Sequence, residues 1–264
     1  NSYNRGFASA CNQGLAHVTK KWTLFLNPDV SITQKNLEDF EAFATQNRVE
    51  AVSIETDNIN YSKPVPTVAN LLAEFSFLGS IFPKQDAEQK TLIGGVLFIN
   101  TTTLKKIGGW DERFFLWFED SDLTKQLIDA QIPFGFCKTE VIHDGGQSIK
   151  KLTTSQQKQL FFHAMNVYAK KHFSLAGQIL LKALSLKYST AQKLPILNSK
   201  ITSLILTTSD EKKIQTFLQA NSEFLNTENF NNSFELLLVT DVILPESIFE
   251  YRKNYPTIRF ITLT

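Results

Sequence analysis

Cysteine is scarce here: the 264 residues contain two, Cys11 and Cys137. Their spacing is not that of a metal-ligand cluster, and such sparing use suggests a reducing compartment. Long apolar runs are missing too. Val96–Ile99 stops after four residues at Asn100, far below the roughly 20 residues of a membrane span. No opening methionine and no signal-peptide pattern are visible, and we read the start as processed or excised. A charge excess of one sign is absent as well: 27 Lys and Arg face 26 Asp and Glu, for a net charge of +1. That balance argues against a whole-protein nucleic-acid binder. What is present is an ordinary globular composition, 42% apolar, with 22 phenylalanines expected mostly in the core.

One absence is local. Between Gly145 and Lys200 there is no aspartate or glutamate, while nine lysines occur. Such a stretch is either a solvated helical face or a surface that lies against an anionic membrane, lysines near the phosphates.

Periodicity divides the rest. Gly6 to Thr19 carries small and apolar residues at helical spacing, and Trp22–Leu26 is a short strand stopped by Asn27-Pro28-Asp29. A helix is predicted over Ser31–Ala44, a strand over Glu50–Glu55, and an irregular surface excursion over Thr56–Gln89. Then follow a strand (Gly94–Asn100), a short helix ending at Gly108-Gly109, a helix (Ser121–Ala130) and an alternating strand (Phe134–His143). Thr153–Lys187 is predicted helical with a break near His172–Ser174, and residues 188–199 read as a linker. After it, ITSLILTT, DEKKIQTFLQANSEFL, FELLLVTD, PESIFEYRKNY and IRFITLT spell strand-helix-strand-helix-strand, the opening half of a nucleotide-binding α/β unit.

Three blocks carry a family resemblance. They are NRGFASACNQG, LFLNPDV, and GGVLFINTTTLKKIGGWDERFFLWFEDSDL followed by VIHDGGQS. With ITSLILTTSDEK and ELLLVTD they resemble a family 2 glycosyltransferase of the GT-A fold, close to the bacterial rhamnosyltransferase-like branch. The implied fold is α/β and Rossmann-like, with a central mixed sheet flanked by helices. In the usual order ITSLILTT comes first and VIHDGG last, whereas here that order is rotated. Joining RFITLT to NSYNRGF restores one continuous β-loop-α-β, so we read a circularly permuted single domain. Residues 1–150 would be its metal and acceptor half, 151–199 a helical lysine-rich segment and linker, and 200–264 the nucleotide-binding half. The alternative is a fragment of a tandem two-domain enzyme, whose pieces could complement one another between molecules.

The resemblance implies transfer of a sugar from a nucleotide-diphospho-sugar, by inversion at the anomeric carbon, to a glycan or lipid-linked saccharide. It tilts toward a UDP- or dTDP-sugar, a cytoplasmic setting and contact with the inner face of the membrane. Mg²⁺ or Mn²⁺ is the implied cofactor, held by Asp29 and His143, with Asn27 where many relatives have a further aspartate. Alone, Asn-Pro-Asp after a strand is simply a turn. Asp120 stands at the position of the catalytic base and Glu119 beside it; both would also suit a helix N-terminus. Trp110 and Trp117 are candidates to stack on sugar rings, with burial the competing reading. Thr208, Ser209, Asp241, Arg5, Asn12 and Asn27 are the candidate grip on donor and nucleotide, at strand ends and near the seam. Because Asn27 and Thr240 replace expected acids, a non-catalytic module that binds sugar or a partner stays open.

Overall fold

The apolar run Trp22–Leu26 forms strand β1, with Thr23 and Phe25 turned inward. The computed structural model describes residues 5–28, 30–55, 63–75, 89–143, 152–186, 202–207, 210–226, 234–240, 245–255 and 258–262. In it β1 is an edge of a four-stranded sheet that also contains β3 (Ala51–Ile54), β4 (Val96–Asn100) and β5 (Phe134–Cys137), in the order β1-β4-β3-β5. β4 runs antiparallel to both neighbours, while β3 and β5 are parallel, so the sheet is mixed. Val96, Leu97, Phe98 and Ile99 are all buried, which explains why β4 reads as an unbroken apolar run: both of its faces are covered.

One face packs Leu97 and Ile99 against Ala8 and Leu15 of α1 (Phe7–Ala16), Leu104 of α4 (Thr101–Lys106) and Leu123 and Leu127 of α5 (Glu119–Asp129). The other packs Val96 and Phe98 against Phe40 and Ala44 of α2 (Gln34–Asn47). α2 begins with a reciprocal cap between Thr33 and Asn36 and ends at Arg48 in the left-handed region, φ 54°. A central mixed sheet flanked by helices is the α/β architecture of a GT-A fold, as the sequence led us to expect.

A second helical layer sits beside it. α3 (Val68–Phe75), α6 (Thr154–His172) and α7 (Leu175–Ser185) enclose Phe114, Phe118, Met165 and Tyr168. Phe173 is extended, and the Ser174 hydroxyl accepts the Gly177 N–H, so α6 and α7 part where the sequence predicted a break. α3 corrects the reading of Thr56–Gln89 as wholly irregular. A second correction concerns Phe134–His143, which is not one strand. The Asn36 side chain donates to Thr139 Oγ1 and to the Glu140 carbonyl, and the chain re-forms as β6 (Ile142–His143), paired with β2 (Val30–Ser31).

The C-terminal unit follows its predicted order: β7 (Thr202–Thr207), α8 (Glu211–Ala220) and a short α9 (Ser222–Leu225), β8 (Phe234–Thr240), α10 (Pro245–Asn254), β9 (Ile258–Thr262). Its strands are parallel in the order β7-β8-β9. Among the described residues no ladder joins this sheet to the first, unlike the continuous sheet that a permuted chain implies. The two parts meet instead where α10 packs on α1 and α4. Phe249 enters the first core, and Arg252 forms a buried ion pair with Glu112.

Candidate active site at the head of helix α5

The chain enters α5 through two successive residues in the left-handed region, Trp117 (φ 67°) and Phe118 (φ 66°). Each bulky residue there costs on the order of 1–3 kcal/mol and persists only where its surroundings hold it. Phe118 is buried, its ring 5.2 Å from that of Phe161 and 5.5 Å from that of Tyr168. Just upstream, the Phe115 carbonyl accepts the Phe7 N–H at 3.2 Å. Gly6, φ 89°, lies so close that a Cβ there would stand 2.5 Å from that carbonyl oxygen. The start of α1 and the strained turn are thus locked together, and the turn delivers Glu119 and Asp120 as the first residues of α5.

Both carboxyls resist ionisation. Burial pushes Glu119 up to about 8, aided by the charge of Asp120, and burial raises Asp120 as well. The two differ in their partners. Asp120 Oδ1 accepts the Ser121 N–H at 2.7 Å, and the Lys63 ammonium further favours its charged form. Glu119 Oε2 is buried with no hydrogen-bond partner among the described residues. Within the pair, the Ser121 hydrogen bond and the Lys63 charge favour ionisation of Asp120 over Glu119. Nearby, burial and the charge of Glu119 push the Cys11 thiol up to about 12, which leaves it unreactive.

The floor of this site is Gly94-Gly95. A Cβ at Gly94 would lie 3.3 Å from Asp120 Cβ and 3.2 Å from Trp110 Cη2, and one at Gly95 would lie 2.5 Å from Asn27 Nδ2. Two glycines therefore bring the end of β1 and the head of α5 onto one short piece of backbone. Thr124 fixes the spacing: its hydroxyl donates to the Asp120 carbonyl at 2.7 Å and accepts the Leu92 N–H at 3.0 Å.

Behind the pair stands a charged cluster that the sequence did not disclose. Asp122 is fully buried and accepts from Lys171 Nζ at 2.9 Å and from Gln126 Nε2 at 2.7 Å, and its Oδ1 lies 2.6 Å from His172 Nε2. Lys171 also donates to Asp111, 2.9 Å away. Burial works against an ionised Asp111, but Arg113 and Lys171 outweigh it and hold the carboxyl well below the usual range. These contacts tie the C-terminus of α6 to the first turn of α5. They span about 50 residues of sequence (|i−j| of 49 and 50), so no local pattern reveals them.

The remaining candidates scatter. Trp110 is 2% exposed, edge-on to Phe7 and Phe25, with its indole N–H unpartnered among the described residues. It belongs to the wall rather than to an open platform. Trp117 is half-buried beside Phe161, at the lip of the site. Asn12, 0% exposed, spends its amide on the Trp110 carbonyl, the Glu112 carboxylate and the Trp110 N–H. It braces the wall from inside, and Arg5 is buried alongside the start of α1. Asp29, Thr208, Ser209 and Asp241 lie outside the described residues, as does the side chain of His143.

Among the described residues no three His, Cys, Asp or Glu side chains gather as a metal site. His143 pairs with Val30, the residue after Asp29, and the Val30 N–H donates to the Asn27 carbonyl. Carboxylate and amide oxygens with an imidazole fit Mg²⁺ or Mn²⁺.

Residues 1–103 match the family model described as Glycosyl transferase family 2, and residues 79–144 match the N-terminal domain of galactosyltransferase. No curated protein matches the chain. The two matches support a glycosyltransferase of the family 2 kind over these segments.

Proposed function

We propose, from that glycosyltransferase assignment, that this chain moves a sugar from a UDP- or dTDP-sugar to a saccharide or lipid-linked saccharide, with inversion and with a divalent metal. The observation that carries this reading is the half-buried Glu119–Asp120 pair, presented by a strained turn over Gly94. Asp120, the charged member, takes the proton of the acceptor hydroxyl. The acceptor oxygen then bonds to the anomeric carbon from the face opposite the departing diphosphate, whose bond to that carbon breaks. Glu119, carrying the pair's proton, donates a hydrogen bond to the acceptor and keeps a second negative charge away from the base. Trp117 offers the acceptor ring an apolar edge at the lip, and the Trp110 wall excludes water behind it. Asp29, His143 and Asn27 would hold Mg²⁺ or Mn²⁺, which when bound neutralises charge on the diphosphate. Thr208, Ser209 and Asp241 would grip the nucleotide, in one domain with the acceptor half.

The test has two arms. A thermal-shift panel of UDP, dTDP, GDP and CMP, each with and without Mn²⁺, should show metal-dependent stabilisation by one uridine or thymidine diphosphate; at 100 times Kd, binding adds about 2.7 kcal/mol. Asp120→Asn should keep that shift while losing transfer by a factor of about 10²–10⁴. A panel without any shift, in a cooperatively folded sample, would favour the second reading. That reading is a non-catalytic module, suggested by an amide rather than an acid at Asn27.

A further inference from the structure

Most of the large apolar side chains left exposed among the described residues belong to one helix. Leu175, Ile179, Leu180 and Leu186, at 71, 60, 51 and 64% exposure, sit on α7 and its C-cap; elsewhere only Leu26 and Leu37 qualify. At 100° per residue, Leu175, Ile179 and Leu186 fall within one narrow stripe, and Lys182 lies in the same stripe, three residues after Ile179 and four before Leu186. The opposite side of the helix, through Gly177, Leu181 and Ser185, is the buried one. An isolated exposed leucine needs no explanation, but a stripe aligned along three turns does.

Charge selects the occupant. The 56 residues around this helix, Gly145 to Lys200, hold nine lysines and no acid, in a chain whose total charge is only +1. Lys182 is exposed within the stripe, and Lys170 is exposed near the end of α6; Lys171 is engaged by Asp111 and Asp122. A protein partner would match the apolar stripe equally well. An apolar line with Lys182 inside it, in a segment of sequence that carries lysines and no acid, instead fits a surface that is apolar beneath and anionic above, the interface of a bilayer. No helix among the described residues is long and apolar enough to cross a membrane, so the contact is one of lying on the surface.

We infer that α7 docks this protein onto an anionic lipid bilayer, with Leu175, Ile179 and Leu186 entering the headgroup–acyl boundary and Lys170 and Lys182 facing lipid phosphates. The docking itself needs no assumption about the reaction. Its consequence does rest on the transferase reading. α7 packs on α3 and α6, and these enclose Phe114 and Phe118 at the turn that presents Glu119 and Asp120. A bilayer-bound α7 therefore places the acceptor side of the site close to the membrane, which suits a lipid-linked saccharide over a free glycan.

The experiment is co-sedimentation of the full chain with phosphatidylcholine vesicles, with and without phosphatidylglycerol at about one lipid in four. Binding to the anionic vesicles should exceed binding to the neutral ones at least tenfold at low salt, and should fall steeply as salt shortens the Debye length to a few ångström. Leu175→Gln/Ile179→Gln/Leu186→Gln, at exposed positions, should keep the wild-type Tm and lose at least tenfold in vesicle binding; Lys170→Glu/Lys182→Glu should lose a similar factor on anionic vesicles alone. The inference is overturned by absence of association at low salt, or by a triple variant that binds vesicles like wild type. Two signatures would name the stripe's actual occupant alongside that second outcome. A dimer turned monomer by the triple variant points to a second copy, and a lowered Tm points to packing against the chain's own residues. Because nucleotide shifts are read without vesicles, failure here leaves the transferase reading separately measurable.

Discussion

The segment from Gly94 to Ala130 and the C-terminal β7–β9 unit are built by opposite rules. The first crowds buried charge, strained backbone and close glycine contacts into a few turns: Glu112, Asp122, the Trp117–Phe118 pair, Gly94 and Gly109. The second is a plain parallel sheet over a small apolar core of Ile214, Leu218, Leu225, Leu236, Leu238, Ile248 and Ile258. Its one buried ionic side chain among the described residues, Arg252, is spent on the first segment's Glu112. The contrast shows where folding energy is held for chemistry and where it merely supports. It also makes their junction, α10 on α1 and α4, the place where the two can be uncoupled.

The most severe change sits at that junction. Gly109 has φ 74°, and a Cβ there would lie 2.5 Å from Asn12 Oδ1 and 2.7 Å from Phe249 Cζ. Gly109→Ala should therefore cost about 4 kcal/mol or more, as strain and a collision with two buried groups add. Urea unfolding of the variant measures it. A loss below about 1 kcal/mol would mean that α10 is not seated as described. Next comes the Glu112–Arg252 pair. Removing either partner alone, by Glu112→Gln or Arg252→Met, strands a buried charge and should cost about 3–5 kcal/mol, while the double change should cost less than the sum. Strict additivity in that cycle would show that the two regions are not joined through this contact.

Much of this contrast was readable in advance, for different reasons in each region. The C-terminal unit is regular, so alternation and helical spacing suffice: each predicted element of ITSLILTT through IRFITLT is present. The head of α5 was readable only because FFLWFEDSD resembles a known motif; no periodicity marks it. Other features escaped. α3 carried its own signal, with Val68, Leu71, Leu72 and Phe75 at i, i+3, i+4 and i+7, lost in the aperiodic text on either side. Asp122, Lys171 and His172 meet only through the fold, and the Lys63 charge acts on Asp120 from a segment distant in sequence. Trp110 and Asn12 show the converse. Residue type suggested ligand contact for Trp110 and nearness to the seam suggested it for Asn12, but in the packing both hold the wall.

A smaller effect separates site from scaffold by pH. Glu119 is shifted up to about 8, whereas in the unfolded chain it ionises near the ordinary glutamate value of about 4.3. The folded state thus binds more protons than the unfolded state across this window, and stability falls as pH rises through it. Glu119→Gln cannot ionise, so it should leave stability near wild type at pH 5 and raise it by about 1–3 kcal/mol at pH 8. Chemical denaturation at the two pH values reads the difference. An effect of the same size at both would place Glu119 in ordinary solvent.

The smallest change tests whether the two regions unfold as one. The Asp210 side chain caps α8 by accepting the Lys212 N–H at 3.0 Å. Asp210→Ala should cost about 1 kcal/mol, a normal loss for an N-cap, and Asp210→Ser should recover most of it. How that loss appears in melting depends on the size of the unit that feels it. If the whole chain melts together, about 1 kcal/mol moves Tm by roughly 2–4 °C. If the β7–β9 unit melts alone, the same loss moves its own transition by roughly 4–8 °C and leaves the other unmoved. The buried Glu112–Arg252 pair and Phe249 in the first core argue for the single transition. In Arg252→Met, where the ionic link is cut, the Asp210→Ala shift should instead grow toward the larger figure as the scaffold begins to melt apart from the site.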